Sequence, residues 1–309
     1  MVRYILRRTL FLIPVMLGVS FIVFSLIHFT PGDPAMIILG ESAPPEAIEA
    51  LRVEMGLNDP FLIQYGRYVF NVVTRLDFGR SYISKRLVFN EIIGQFPNTV
   101  KLAALAVSVA MLIGIPAGVI AATHQNKWID NVTMFFSLLG VSMPIFWQGI
   151  LLILVFSLTL QWLPSSGFNT WQQMILPSLT LGSGSAAIIA RMTRSSMLEV
   201  YRQDYVRTAR SKGLKERIVV MRHALKNALI PIVTVIGLQF GFLLGGAVLT
   251  ESIFGIPGLG RLMVNSIRTK DMMIIQGGVL LIAFTFSIIN LFVDVLYAYL
   301  DPRIRSQYK

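Results

Sequence analysis

The sequence predicts an all-α polytopic membrane protein, and three observations carry that prediction. Of 309 residues, 54% are apolar and 14% charged, whereas water-soluble domains carry about a quarter charged residues. Mean hydropathy is +0.67, which calls for a solvent other than water. The apolar residues gather in runs long enough to cross a bilayer, and the charges, 27 Lys+Arg against 16 Asp+Glu for a net +11, gather between them. The absence of cysteine removes disulfides, thiolate metal sites and cysteine nucleophiles.

The first run, Thr9 to Phe29, has 21 residues and no charge. At about 1.5 Å per residue it covers the roughly 30 Å hydrocarbon layer. Arg3, Arg7 and Arg8 precede it as in a signal peptide. The run exceeds the usual apolar region of such peptides and meets His28-Phe29-Thr30-Pro31 rather than a small-x-small site, so it reads as an uncleaved anchor. Further spans are predicted over Leu102 to Thr123, Val132 to Leu160, Ile175 to Ala190, Leu229 to Thr250 and Met272 to Tyr299, making six transmembrane helices. The fourth is short, and Gly182-Ser183-Gly184-Ser185 within it predicts a helix buried among others rather than facing lipid.

Charge sets the expected topology. Three basic residues precede the first span, and 10 basic against 3 acidic residues lie between Arg191 and Lys226. Arg303, Arg305 and Lys309 close the chain, whereas Thr30 to Asn98 carries 8 acidic and 6 basic residues and Gln161 to Gln173 none. The positive-inside pattern predicts that both termini and the 191–227 segment are cytoplasmic. The chain divides accordingly into 1–29 (first helix), 30–98 (an extracytoplasmic subdomain) and 99–309 (a five-helix core with the 191–227 segment). In the second block Ser42 is expected to cap a helix that admits Pro44 and Pro45 in its first turn, with Ile48, Leu51 and Met55 as its inward stripe before Gly56. That block either covers the outer helix ends or docks a partner.

Several chemistries lack their residues. No Gly-Lys dipeptide is present, so the chain has no P-loop to cradle ATP phosphates. His28, His124 and His223 stand on separate segments, away from one another and from the span centres, which leaves no paired zinc ligands and no base for Ser183 or Ser185 in an intramembrane serine protease. An ion-coupled carrier would place acids within the spans; Asp294, four residues from Asn290 and on its face, is the one buried candidate the pattern offers. Gly237, Gly241 and Gly245 form overlapping small-xxx-small repeats with Gln239 nearby, a face for close helix packing inside the subunit, for a partner subunit, or for a pathway lining; Gly114 and Gly118 do the same more weakly.

Within the basic segment, Gln203 to Lys212 favours a helix, Gly213 interrupts it, and Lys215 to Asn227 resumes a helix that enters the membrane before Pro231. Tethered between spans, this helix-turn-helix is badly placed to read DNA, so nucleic acid is not an expected partner. Thr208-Ala209-Arg210-Ser211-Lys212-Gly213, followed by His223-Ala224-Leu225-Lys226-Asn227-Ala228 and Ile230-Pro231, resembles the EAA signature of bacterial ABC-importer permeases. Asp204-Tyr205-Val206-Arg207 matches its dipeptide, oligopeptide and nickel branch, with Thr208 where the naming glutamate would stand. Pro31-Gly32-Asp33-Pro34, Asp77-Phe78-Gly79, Leu176-Pro177-Ser178-Leu179 and Pro257-Gly258-Leu259-Gly260-Arg261 are similar to the same family in the same order.

The resemblance implies a type I ABC-importer permease fold in a bacterial or archaeal plasma membrane, for dipeptides or oligopeptides, with glutathione and nickel chelates as alternatives. It implies a heterodimer with a second homologous permease, two ATPase subunits, an extracytoplasmic solute-binding protein and contact with membrane lipid. No cofactor is expected on this chain; ATP and magnesium are used by the ATPase partners. By the same resemblance, Tyr205, Thr208, Ala209, Arg210, Lys212, Gly213 and Leu214 form the coupling helix that enters an ATPase groove, with Ala209 allowing close approach and Gly213 the turn. Gly237, Gln239, Gly241 and Gly245 are the candidate pathway or permease interface.

Overall fold

The computed structural model describes residues 2–40 and 42–300, with the side chains of 2–5, 7 and 297–300 left aside. Arg303, Arg305 and Lys309, and the side chains of Arg3 and Arg7, therefore lie outside the described residues. Helix α1 (Val2–Phe29) carries the first predicted span. Short helices follow: α2 (Pro34–Leu39), α3 (Pro45–Glu54) and α4 (Phe61–Arg75). Asp33 caps α2 by accepting the Ala35 N–H at 3.0 Å, and its other oxygen pairs with Arg52 of α3 at 2.9 Å. Ser42 does not cap α3. Pro44 occupies the cap position and Pro45 opens the helix, and consecutive prolines keep the preceding chain extended, so Ser42 falls short of the helix end. The stripe of Ile48, Leu51 and Met55 is half-buried as expected. Helix α4 lies against α1 through aromatic rings, with Phe21 and Tyr65 centroids 5.3 Å apart.

Helix α5 (Val88–Thr123) runs 36 residues without interruption, so no break falls at the 98/99 boundary and the end of the 30–98 block is the first part of a span. After α5 the third predicted span is not one straight helix. It consists of α6 (Trp128–Ser142) and α7 (Ile145–Leu152), the latter continued by a π-helical stretch, Ile153–Thr159; the halves are bent by 103°. Pro144 is the cause: it has no N–H to continue the ladder and forces Met143 into an extended conformation, ψ 129°.

Helix α8 (Trp171–Tyr201) holds the Gly182–Ser185 run. Of its most apolar stretch 61% is buried, against 6% for α1, so the expectation of a span enclosed by others holds. Then come α9 (Asp204–Ser211), α10 (Glu216–Ile218), a second π-helical stretch over Val219–Leu225, α11 (Lys226–Ile253), α12 (Leu259–Arg268) and α13 (Met272–Leu300). No strand occurs among the described residues; Arg80 and Leu87 form an isolated antiparallel bridge.

The core lies where α5, α8 and α11 meet, around Leu102, Ala106, Leu181, Leu244 and Phe254. Helices α5 and α8 run parallel, because Gly182 sits on Ala106, Gly114 on Ala186 and Gly118 on Ala190, positions that rise together. A Cβ at each glycine would come within 2.5–2.6 Å of the facing carbonyl oxygen, so only glycine lets these backbones meet. Helices α1 and α13 stand at the margin, joined by an Arg8–Asp294 pair at 2.9 Å. Gly277 of α13 packs on Val88 and Gly118 on Thr193. The 76–87 loop and α12 thus lie at one end of the bundle, and the turn after α9 at the other.

Candidate functional site: the turn after α9

Gln203 precedes α9 in an extended conformation, and Asp204 in the first turn complements the partial positive charge of the helix start. Val206 and Ala209, three residues apart, face inward with Val219, packed by Val200 and Tyr201. Ala209 is 5% exposed. It therefore holds α9 to its own body and is not the residue by which a partner approaches closely; the inward stripe of so short a helix requires both 206 and 209. At its far end the Lys212 N–H donates to Thr208 O at 3.1 Å and the Gly213 N–H to Arg210 O at 2.9 Å. Gly213 then takes φ +74° with open space where a side chain would stand, a left-handed conformation that costs other residues about 1–2 kcal/mol.

Two side-chain ties brace the turn. Arg210 donates to both carboxylate oxygens of Glu216 at 2.7 and 3.2 Å, and its guanidinium lies 5.2 Å from the Tyr201 ring centroid. Hydrogen bonding to Glu216 raises the Arg210 pKa above its ordinary value, so the arginine side of this brace stays charged. Both partners are exposed, and such a pair contributes no more than about 1 kcal/mol; its value is geometric. The second tie runs from Asn227 Nδ2 to the Tyr205 hydroxyl at 2.8 Å, joining α9 to the start of α11. Tyr205, Thr208, Arg210, Lys212, Gly213 and Leu214 are all exposed. Of the seven predicted residues the structure brings all to one small projection, with six outward and Ala209 inward.

The α11 glycines behave differently. A Cβ at Gly237 would meet Val293 Cγ2 at 2.2 Å and one at Gly241 would meet Phe286 at 3.0 Å. Both faces are filled by α13, so for these two the packing reading applies. Gln239 is 9% exposed, and nothing lies within 4 Å of a Cβ at Gly245. Asp294 is half-buried and paired with Arg8, a local contact between α1 and α13.

The most deeply buried acids are ones the sequence pattern did not single out. Glu251 at the end of α11 is 0% exposed. It accepts the Thr99 hydroxyl at 2.6 Å and the Arg261 N–H at 2.9 Å, while Gly258 and Gly260 leave room for its carboxylate. Asp130 of α6 is 2% exposed and accepts hydrogen bonds from Arg194 Nε and Nη2 of α8 at 2.6 and 2.7 Å. Asp271 accepts the Ser81 hydroxyl and the Tyr82 N–H. Each acid's side-chain partner, Thr99, Arg194 or Ser81, is distant in sequence, so no local spacing marks the acids; the glycines of Pro257-Gly258-Leu259-Gly260 are the nearest hint. Ser183 donates to Gln148 and Thr180 rather than to a base. Among the described residues no group of His, Asp and Glu is arranged to hold a metal ion.

Comparison with known proteins agrees with this geometry. Residues 114–306 match the family described as binding-protein-dependent transport system inner membrane component, and residues 1–103 match the N-terminal component of the same transport systems. The chain is 45% identical to the dipeptide transport system permease protein DppB of Alkalihalophilus pseudofirmus, over 99% of this chain and 100% of that one. It is 47% identical to the glutathione transport system permease protein GsiC of Escherichia coli K12, covering 99% of each. Among solved structures it is similar to an inward-facing MetNI methionine ABC transporter, TM-score 0.60 at 16% identity, over 68% of this chain and 96% of that one; at that identity the likeness concerns the fold. The chain belongs to the binding-protein-dependent inner membrane component family and is a multi-pass ABC-importer permease of the branch that holds dipeptide and glutathione permeases.

Proposed function

We propose that this permease forms half of a pathway for dipeptides or oligopeptides, completed by a second, homologous permease, and that it hydrolyses no ATP itself. Of two ATPase subunits, using ATP and magnesium, one docks on the turn after α9 and the other on the second permease; a solute-binding protein delivers substrate at the opposite end, where α2, α3, α4 and α12 lie. The excess of basic residues in the 191–227 segment supports a cytoplasmic position for the α9 end and for both termini. The observation that carries the coupling assignment is the braced, outward projection of Tyr205, Thr208, Arg210, Lys212 and Leu214 around a left-handed Gly213. Ala209 supports it from beneath. Gly245, the one α11 glycine facing open space, is the remaining candidate for the contact with the second permease, whereas Gln239 is buried within this subunit.

A chain without cysteine allows a direct test. Lys212→Cys, the single thiol of this chain, should crosslink to a copurified ATPase subunit, with the yield changing on ATP addition. Gly213→Pro removes the N–H that closes α9 and the left-handed turn; it should cut transport about tenfold or more while the subunits still copurify. Intact transport and intact ATPase stimulation in that variant would refute the coupling assignment. Glutathione is the second reading, favoured by the 47% identity to GsiC. The binding protein that copurifies, and the solute it carries, decides between them.

A further inference from the structure

Two half-open clefts lie one beyond the other along α1, α4 and α13. The first, about 270 Å³, lies at the end of the bundle opposite the α9 turn and has a mixed lining whose polar members include Asp33, Arg52, Gln64 and Gln276. The second, about 870 Å³, is lined almost wholly by apolar side chains, among them Leu17, Val72, Leu280 and Phe284. The two follow one another on successive turns of the same helices: Phe24 then Ser20 on α1, Gln64 then Tyr68 on α4, and Gln276 then Leu280 on α13. An α-helix advances one turn in 3.6 residues, so each step is a single turn.

Gln276 of α13, 3% exposed, belongs to the lining of the first space, and Tyr68 of α4, one turn below Gln64, to that of the second. The chamber presents both signs of charge, since Arg52 and Asp33 meet at 2.9 Å on its wall. Two helices beside the deeper cavity are little enclosed, with 6% of α1 and 11% of α13 buried in their apolar stretches against 33–61% for α5, α8 and α11. A molecule filling both spaces is polar and doubly charged at one end and a hydrocarbon at the other, and it reaches the cleft from the lipid.

We propose that this cleft is a phospholipid site, with a zwitterionic head group beside Arg52, Asp33 and Gln276 and an acyl chain along Tyr68, Leu280 and Phe284. The site is separate from the α9 turn and does not depend on the coupling assignment. A bound lipid would fix α1 and α4 against the rest of the bundle, to which α1 is otherwise joined through α13.

Native mass spectrometry tests this on the full chain, purified with whatever subunits accompany it, delipidated and re-equilibrated with phosphatidylethanolamine or phosphatidylglycerol. One phosphatidylethanolamine should remain per chain, held about fivefold better than phosphatidylglycerol. Leu280→Trp fills the deeper cavity and should cut retention about fivefold, and Gln276→Leu about threefold. Leu112→Trp, at a 75% exposed position of α5, should leave it unchanged. Because a cavity-filling tryptophan can disturb folding, an acyl-chain diazirine analogue of phosphatidylethanolamine supplies a second reading on the unmodified protein: its label should map to residues 64–76 and 280–288. No retained lipid, retention indifferent to the head group, or labelling confined to other segments would overturn the proposal. So would a photoreactive residue at Val73 that captures a copurifying polypeptide instead of lipid.

Discussion

Two glycine seams hold this permease together, and they are built to different tolerances. On α5 and α8, Gly114, Gly118 and Gly182 face backbone: carbonyl oxygens of Ala186, Ala190 and Ala106 stand 2.5–2.6 Å from where a Cβ would be. On α11, Gly237 and Gly241 face the side chains of Val293 and Phe286 on α13. Backbone in a packed helix cannot move aside, whereas a side chain can turn to another rotamer. The α5–α8 seam is therefore rigid and the α11–α13 seam adjustable. A Gly-xxx-Gly spacing by itself does not distinguish them; what decides is the atom type that arrives opposite.

Substitutions can break or sharpen this contrast. The largest effect is expected for Gly182→Val, which drives a branched side chain into the Ala106 carbonyl and should cost about 3 kcal/mol or more, seen as loss of a monodisperse peak in fluorescence-detected gel filtration. Arg194→Leu comes next. It leaves the 2% exposed carboxylate of Asp130 without its cation on the α6 side of the rigid seam, at a cost of about 3 kcal/mol; a double variant with Asp130→Leu should recover much of the lost melting temperature. Gly237→Ala meets a side chain rather than backbone, but Val293 must leave its preferred helical rotamer or shift, and a loss of about 1–2 kcal/mol is expected by thermal melting in detergent. The smallest effect reverses sign: Gly245→Ala meets nothing within 4 Å and removes a weak helix former, so the isolated chain should gain up to about 1 kcal/mol. A loss of transport in that stable variant would mark Gly245 as a contact with the second permease. If Gly237→Ala proved as damaging as Gly182→Val, the distinction between the seams would fail.

The spans were legible because bilayer thickness acts on composition over about 20 residues, a length at which apolar content is unmistakable. The α9 turn was legible for a local reason, since helix formers, then Gly213, then helix formers again need no distant partner. Legibility ended where partners are remote. Glu251 stands one residue past a predicted span and reads as a boundary charge, yet Thr99, 152 positions earlier, and the Gly258–Arg261 loop enclose it completely. Asp130 likewise precedes the third predicted span and pairs 64 positions away. The bend between α6 and α7 had a local sign in Pro144, overridden in the hydropathy reading because the residues on both sides are equally apolar. Ala209 was placed in the right element and given the wrong direction, because residue type alone does not tell which side of a short helix faces the body.

The π-helical stretch over Val219–Leu225 sits between the α9 turn and α11. Its hydrogen bonds skip one residue more than those of an α-helix, and each residue advances an α-helix by about 100°. The stretch consequently works as a phase shifter: the face that α11 offers to α13 is rotated from the one an unbroken helix would carry up from Lys215. Counting in steps of four from Glu216 thus points to the wrong side of α11. Removing a single residue from 219–225 would restore the ordinary count and swing Gly237 away from Val293, altering the membrane contacts of a helix in which no membrane residue had been changed.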